Sequence, residues 1–117
     1  HAASEKEQGI QKAPFGIVGL ETAAALTYTA LVKPGILTPM QMAEKMSYNP
    51  AKILGLDKGT VEAGSPADLT IFDPECEWVI DPAEFLSKGK NTPFGGKKVT
   101  GKVMATIVDG EIVYQEK

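Results

Sequence analysis

The feature that most constrains this chain is a change of pattern at Gly59. Before it, small and apolar residues recur at three- and four-residue spacing. After it, short β-type runs alternate with Gly, Pro and Asp. Leu20, Ala23, Ala24, Thr27 and Leu31 form a helical stripe, and Pro34-Gly35 stops that helix near residue 33. Thr38-Pro39-Met40-Gln41 is a capping-box pattern with proline at the first helical position, and it predicts a second helix burying Met42, Ala43 and Met46. Asn49-Pro50 predicts a third, very short helix with Ile53 and Leu54 inward and Gly55 as its stop. Residues 60–63, 69–72, 78–80 and 99–108 then read as strands, and residues 1–13 and 87–98 as loops. Asp109-Gly110, between Ala105–Val108 and Ile112–Tyr114, predicts a type I′ hairpin, because both central positions must take positive φ.

Helices followed by strands indicate α+β for the chain taken alone. At 117 residues it is too short for a complete (β/α)8 barrel, which takes about 250. No apolar run approaches the roughly 18 residues of a membrane span, and no leader is evident, so a cytoplasmic location is expected. Cys76 is the single cysteine, flanked by carboxylates that disfavour its thiolate. A net charge of −3 leaves no electrostatic footprint for nucleic acid. All twelve basic residues are lysines. A guanidinium for planar recognition of an anion is therefore not supplied by this segment.

The residues alone assemble no catalytic centre. His1 is the only histidine, and no HxH, HExxH or CxxC pattern is present. The serines sit in no nucleophile-elbow motif, and Gly95-Gly96 matches neither nucleotide-binding fingerprint.

Two separated segments carry more information. Ala13-Pro14-Phe15-Gly16 runs into Gly19-Leu20-Glu21-Thr22, and Asn91-Thr92-Pro93-Phe94-Gly95 lies near the end. His1 with Glu5-Lys6, Asn49–Leu56 and the stretch Gly59–Leu69 complete the pattern. Together, over nearly the whole chain, these resemble the C-terminal part of a class I dihydroorotase of the amidohydrolase superfamily. The Gly59–Leu69 motif is shared by many amidohydrolases; Asn91–Gly95 looks typical of the dihydroorotases.

The resemblance implies that residues 1–56 are the final loop and helices of a TIM barrel, and that 57–117 belong to a small β-sandwich domain. It places substrate contacts on His1, the second histidine of an Asp-His-Ala-Pro-His motif, and on the backbone of Phe15 and Gly16. A terminal histidine is also what an affinity tag leaves; the Glu5-Lys6 match and the spacing to Phe15-Gly16 favour the ligand. The catalytic Asp would stand four residues before His1, so no catalytic or metal-binding residue is expected in this chain. The reaction implied is the zinc-dependent interconversion of dihydroorotate and N-carbamoyl-L-aspartate in pyrimidine biosynthesis. The chain itself is expected to be an inactive fragment whose partner is the upstream barrel portion, within a homo-oligomer. Two alternatives are a non-catalytic scaffold relative and a hydantoinase or allantoinase.

Overall fold

The computed structural model describes residues 1–116. One helical turn, α1 (Ala3–Lys6), interrupts the polar segment expected to be a loop. Helix α2 (Leu20–Thr27) continues through a wide turn at Tyr28–Val32, where the Lys33 amide donates to the Tyr28 carbonyl five residues back. Gly35 N–H then closes onto Val32 O at 2.9 Å, ending the helix where Pro34-Gly35 predicts. The face laid on the sheet differs from the expected stripe. Thr22, Ala25 and Val32 are buried, whereas Leu20 is fully in solvent. The helix thus has two faces able to pack, and the sheet takes the less apolar one.

Helix α3 (Pro39–Ala43) opens with the expected reciprocal cap: Gln41 N–H donates to Thr38 Oγ1 at 3.2 Å and Thr38 N–H to Gln41 Oε1 at 2.8 Å. Asn49 does not cap a separate helix. Its backbone is helical (φ −64°, ψ −44°), and α3 runs through a wide turn, Glu44–Tyr48, directly into α4 (Asn49–Ile53). Proline inside an α-helix clashes with the carbonyl four residues back and lacks a donor. In the wide turn Asn49 N–H reaches Glu44 O instead, which re-spaces the carbonyls ahead of Pro50. Ala51 is the only buried residue of α4; Ile53 and Leu54 are 82% and 71% exposed, and Ala43 and Met46 are also exposed. The inward faces expected for these helices are uncovered in this chain.

Three antiparallel strands follow in the order β1 (Leu69–Val79), β2 (Lys98–Val108), β3 (Glu111–Gln115). Residues 60–63 form no strand. The two runs expected at 69–72 and 78–80 are one strand with a bulge: Asp73 pairs with Lys102 and Glu77 with Thr100, so residues 74–76 stand opposite Gly101 alone. Pro74 is tolerated there because bulge residues need not donate to the ladder. The β2–β3 turn is as predicted, with φ of 50° at Asp109 and 84° at Gly110. Asp68 secures it by accepting the Asp109 amide at 2.9 Å, while Lys58 pairs with the same carboxylate.

The core sits where α2 crosses the sheet. Ala25, Ile80, Phe85 and Val99 are buried together, with Val18, Leu26, Trp78 and Phe94 packed against them. Thr29 locks the crossing: its hydroxyl accepts the Thr100 amide at 2.8 Å and donates to the Thr100 carbonyl at 3.1 Å. Replacing Thr29 with Val keeps the volume but orphans both groups on a buried residue. The expected loss is about 1–3 kcal/mol, read from urea unfolding; an unchanged midpoint would exclude the lock.

Candidate functional site

Local chemistry folds the 14–18 segment against the α1 turn. Lys6 Nζ donates to the Pro14 carbonyl and, at 2.8 Å, to the Gly16 carbonyl. Asn91 Nδ2 donates to the same Gly16 oxygen at 2.9 Å, and the Asn91 carbonyl accepts the Val18 amide at 2.9 Å. The two sequence segments that carry the resemblance, 75 residues apart, are thus in direct contact. Gly16 has φ of 100°, a conformation that residues with a Cβ rarely adopt, while the space around it is open. The glycine is needed here for its backbone and not for clearance.

His1 lines an open cleft of about 550 Å³ together with Glu5, Ile17, Leu20, Lys88 and Gly89. Its Nδ1 lies 3.8 Å from Glu5 Oε1. Gly89 closes against it so tightly that a Cβ would sit 2.7 Å from the His1 carbonyl oxygen. Phe15 and Gly16 are not part of this lining, and Phe15 is 98% exposed. The cleft therefore offers an imidazole, the Glu5 carboxylate, the Ser87 hydroxyl, an ammonium at Lys88 and backbone groups. Among the described residues, no hydrogen bond joins the Ser87 hydroxyl to His1 or Glu5.

Glu21 holds the loop that forms the far wall. Its carboxylate accepts the Leu86 amide at 2.8 Å and the Ser87 amide at 3.1 Å. Burial pushes the carboxyl up, but the Ser87 hydroxyl, the two amides and the Lys90 ammonium outweigh it and leave it below its ordinary 4.5. Because the folded value lies below the unfolded one, the unfolded state takes up more protons between them. The latch is fully present above about pH 5 and is lost as pH falls through the depressed value. A melting-temperature profile should fall on that acid side, and Glu21→Gln should flatten it; identical acid limbs for the two proteins would refute the latch.

Lys6 and Asn91 were not legible as site residues from sequence alone: Lys6 reads as a solvated lysine and Asn91 as a loop residue. Their only signal is position, Lys6 in the Glu5-Lys6 pair and Asn91 at the head of its motif. Among the described residues, no three His, Cys, Asp or Glu side chains come together to hold a metal ion. Among the same residues, no helix is long and apolar enough to cross a membrane.

Residues 10–113 match the model of the amidohydrolase family. The chain is 51% identical over all 117 residues to a dihydroorotase of Pelotomaculum thermopropionicum and 52% identical to one of Bacillus cytotoxicus. It spans 27% of the length of each. Among solved structures it superposes on an L-hydantoinase (dihydropyrimidinase) from Arthrobacter aurescens with a TM-score of 0.85 at 37% identity, over 96% of this chain and 26% of that one. A D-hydantoinase (dihydropyrimidinase) from Thermus sp. gives 0.87 at 27% identity, over 98% of this chain and 26% of that one. The match over residues 10–113, the identity across the full chain and the backbone likeness agree, and the chain belongs to the amidohydrolase family.

Proposed function

We propose that this chain is the C-terminal part of a dihydroorotase, an enzyme that interconverts dihydroorotate and N-carbamoyl-L-aspartate in pyrimidine biosynthesis. The observation that carries the reading is the 51–52% identity to dihydroorotases, sustained from residue 1 to residue 117. The two hydantoinase structures share the backbone fold but are only 37% and 27% identical in sequence. In this reading residues 1–56 close a (β/α)8 barrel and 57–117 supply part of a small β-domain. His1 donates a hydrogen bond to the substrate carboxylate, and the Phe15 and Gly16 backbone lies along the same ligand.

The zinc ion and the catalytic Asp of this reading belong to the remainder of the protein. Among the described residues no three His, Cys, Asp or Glu side chains gather to hold a metal ion, so the metal ligands of this reading are sought in that remainder. This chain's share of the work is to bind the substrate and to hold it in register, which is where much of an enzyme's rate advantage originates. The whole protein is read as cytoplasmic and self-associating.

A chimera tests this. The chain replaces the matching 27% of the Pelotomaculum thermopropionicum dihydroorotase, and the product is assayed with dihydroorotate and with hydantoin. Turnover of dihydroorotate in preference to hydantoin is expected. Preference for hydantoin would move the chain to the hydantoinases. A folded, metal-loaded but inert chimera would favour a non-catalytic scaffold.

A further inference from the structure

Gly89 is the one buried residue between Leu86 and Asn91, and the lysines on both sides of it are exposed. A Cβ placed there would meet the His1 carbonyl oxygen at 2.7 Å and Val18 Cγ2 at 2.9 Å, well inside the 3.4 Å at which ordinary contact begins. The nearer obstacle is a backbone atom, which cannot swing aside as the tip of a side chain can. Gly89 does not take a positive φ, so this position uses glycine for close approach and not for its conformation. His1, Val18 and Gly89 line the same cleft.

The loop is fastened on both sides of this contact. Before it, the Glu21 carboxylate accepts the Leu86 and Ser87 amides, and Phe85 is part of the buried core. After it, the Lys90 ammonium donates to the Phe85 carbonyl and, at 3.4 Å, to the Ala83 carbonyl of the short turn Pro82–Glu84. Further on, Gly96 N–H closes onto Ile80 O at 2.8 Å and Ile80 N–H onto Lys97 O at 3.0 Å, which ties the loop's base to the sheet. On the other side of the contact, Lys6 joins the α1 turn to the Pro14 and Gly16 carbonyls, so the turn and the 14–16 segment form one body. Asn91 passes the loop's position to that body through Gly16 O and Val18 N–H.

Resting on the dihydroorotase reading, we infer that the 86–91 loop is the template on which the His1 turn and the 16–18 segment are set, and that Gly89 is its positioning residue. Gly89 touches no ligand in this account and acts through His1. The loop connects β1 to β2, so placement of the binding groups is what the sheet contributes to the site. Because the loop is fastened to the core, a methyl group on Gly89 displaces His1 and Val18 and leaves the loop where it is.

The test uses the chimera with Gly89→Ala, Glu21→Ala and, as a control, Gly95→Ala. A Cβ on Gly95 would meet Pro82 Cγ at 3.0 Å, and neither residue lines the cleft. Dihydroorotate kinetics, calorimetric binding of orotate (the planar oxidised analogue), melting temperature and hydrogen–deuterium exchange by mass spectrometry are read together. Gly89→Ala should raise KM and weaken orotate by roughly tenfold or more, because misplacing a binding group by a fraction of an ångström is costly. Its kcat should change less than about threefold. Exchange should rise over residues 14–18 and stay at the wild-type level over 85–88. Glu21→Ala loosens the template without crowding His1 and should raise KM about fivefold, the scale of one net hydrogen bond. Gly95→Ala should lower the melting temperature and leave KM where it was.

Unchanged KM and orotate affinity in Gly89→Ala overturn the inference. So does exchange that rises over 85–88 alone, which would mean that the loop yields and His1 stays. Equal KM shifts in Gly89→Ala and Gly95→Ala would mark general damage to the fold and overturn it as well. If Gly89→Ala does not fold, Glu21→Ala decides, and an unchanged KM there refutes the template. Failure of the functional reading looks different: a wild-type chimera that binds orotate yet turns over no dihydroorotate. The orotate affinities and the exchange pattern then still decide the positioning role. A folded wild-type chimera that binds no orotate overturns both.

Discussion

Gly101→Ala should destabilise this chain by about 2–4 kcal/mol, the largest effect expected of any single methyl group added to it. Two costs combine. Gly101 has φ of 96°, where an L side chain is strained. Its new Cβ would sit 2.3 Å from Phe72 Cζ and 2.9 Å from Cε1. Tyr28 also packs against this ring, with ring centroids 5.5 Å apart, which restricts its movement. The same glycine is the single residue facing the three-residue bulge 74–76, and its carbonyl accepts Trp78 Nε1 at 2.9 Å. Phe72 covers the bare backbone much as aromatic side chains cover glycines in other sheets. Trp78 is the only tryptophan, so its fluorescence reports this region directly during urea unfolding. Phe72→Leu in the Gly101→Ala background should relieve the clash but not the backbone strain, recovering part of the loss. A Gly101→Ala midpoint equal to wild type would mean that the bulge is looser than described.

Self-association of the isolated 117-residue chain is the second large effect expected. Ile10, Phe15, Leu20, Ile53, Val61 and Leu86 each show more than four-fifths of their surface to solvent. Monomers rarely tolerate so much exposed large apolar surface. The three-stranded sheet adds two open edges, on β1 and β3, each with unpaired backbone groups. Against this stands a small core of Ala25, Ile80, Phe85 and Val99. Light scattering should therefore show concentration-dependent oligomers, with a broad, low-temperature melt. The pure chain with zinc added should not turn over dihydroorotate. A monodisperse monomer with a sharp, high melt would show that these surfaces need no cover, and measurable turnover would mean that the chain holds more of the active site than is assigned to it.

Local features were legible without coordinates wherever a few neighbouring residues decide the outcome. Asp109-Gly110 specifies its turn through φ alone. Thr38 and Gln41 satisfy each other's amides within one helical turn, and Pro34-Gly35 terminates α2 for lack of a donor and a Cβ. The motifs containing Phe15-Gly16 and Asn91 pointed to the amidohydrolases, and the match over residues 10–113 bears that out. Where the pattern misled, a distant partner was responsible. Residues 73–77 look like a turn, yet the flanking segments share one neighbour, β2, and so form a single bulged strand. Asn49-Pro50 looks like a helix start, yet the wide turn before it lets the helix continue.

The sequence by itself determined the helix-then-strand order, the hairpin, the Thr38–Gln41 cap and the family. Each depends on backbone preferences, on contacts within about four residues, or on a motif read as a string. Only the tertiary structure decided that α2 lays Thr22, Ala25 and Val32 on the sheet in place of the Leu20 stripe, and that Lys6 and Asn91 meet at one carbonyl oxygen. A hydrogen bond spanning 75 residues leaves no periodicity behind it, because its geometry exists only after the core of Ala25, Ile80, Phe85 and Val99 has brought the loop against the helix.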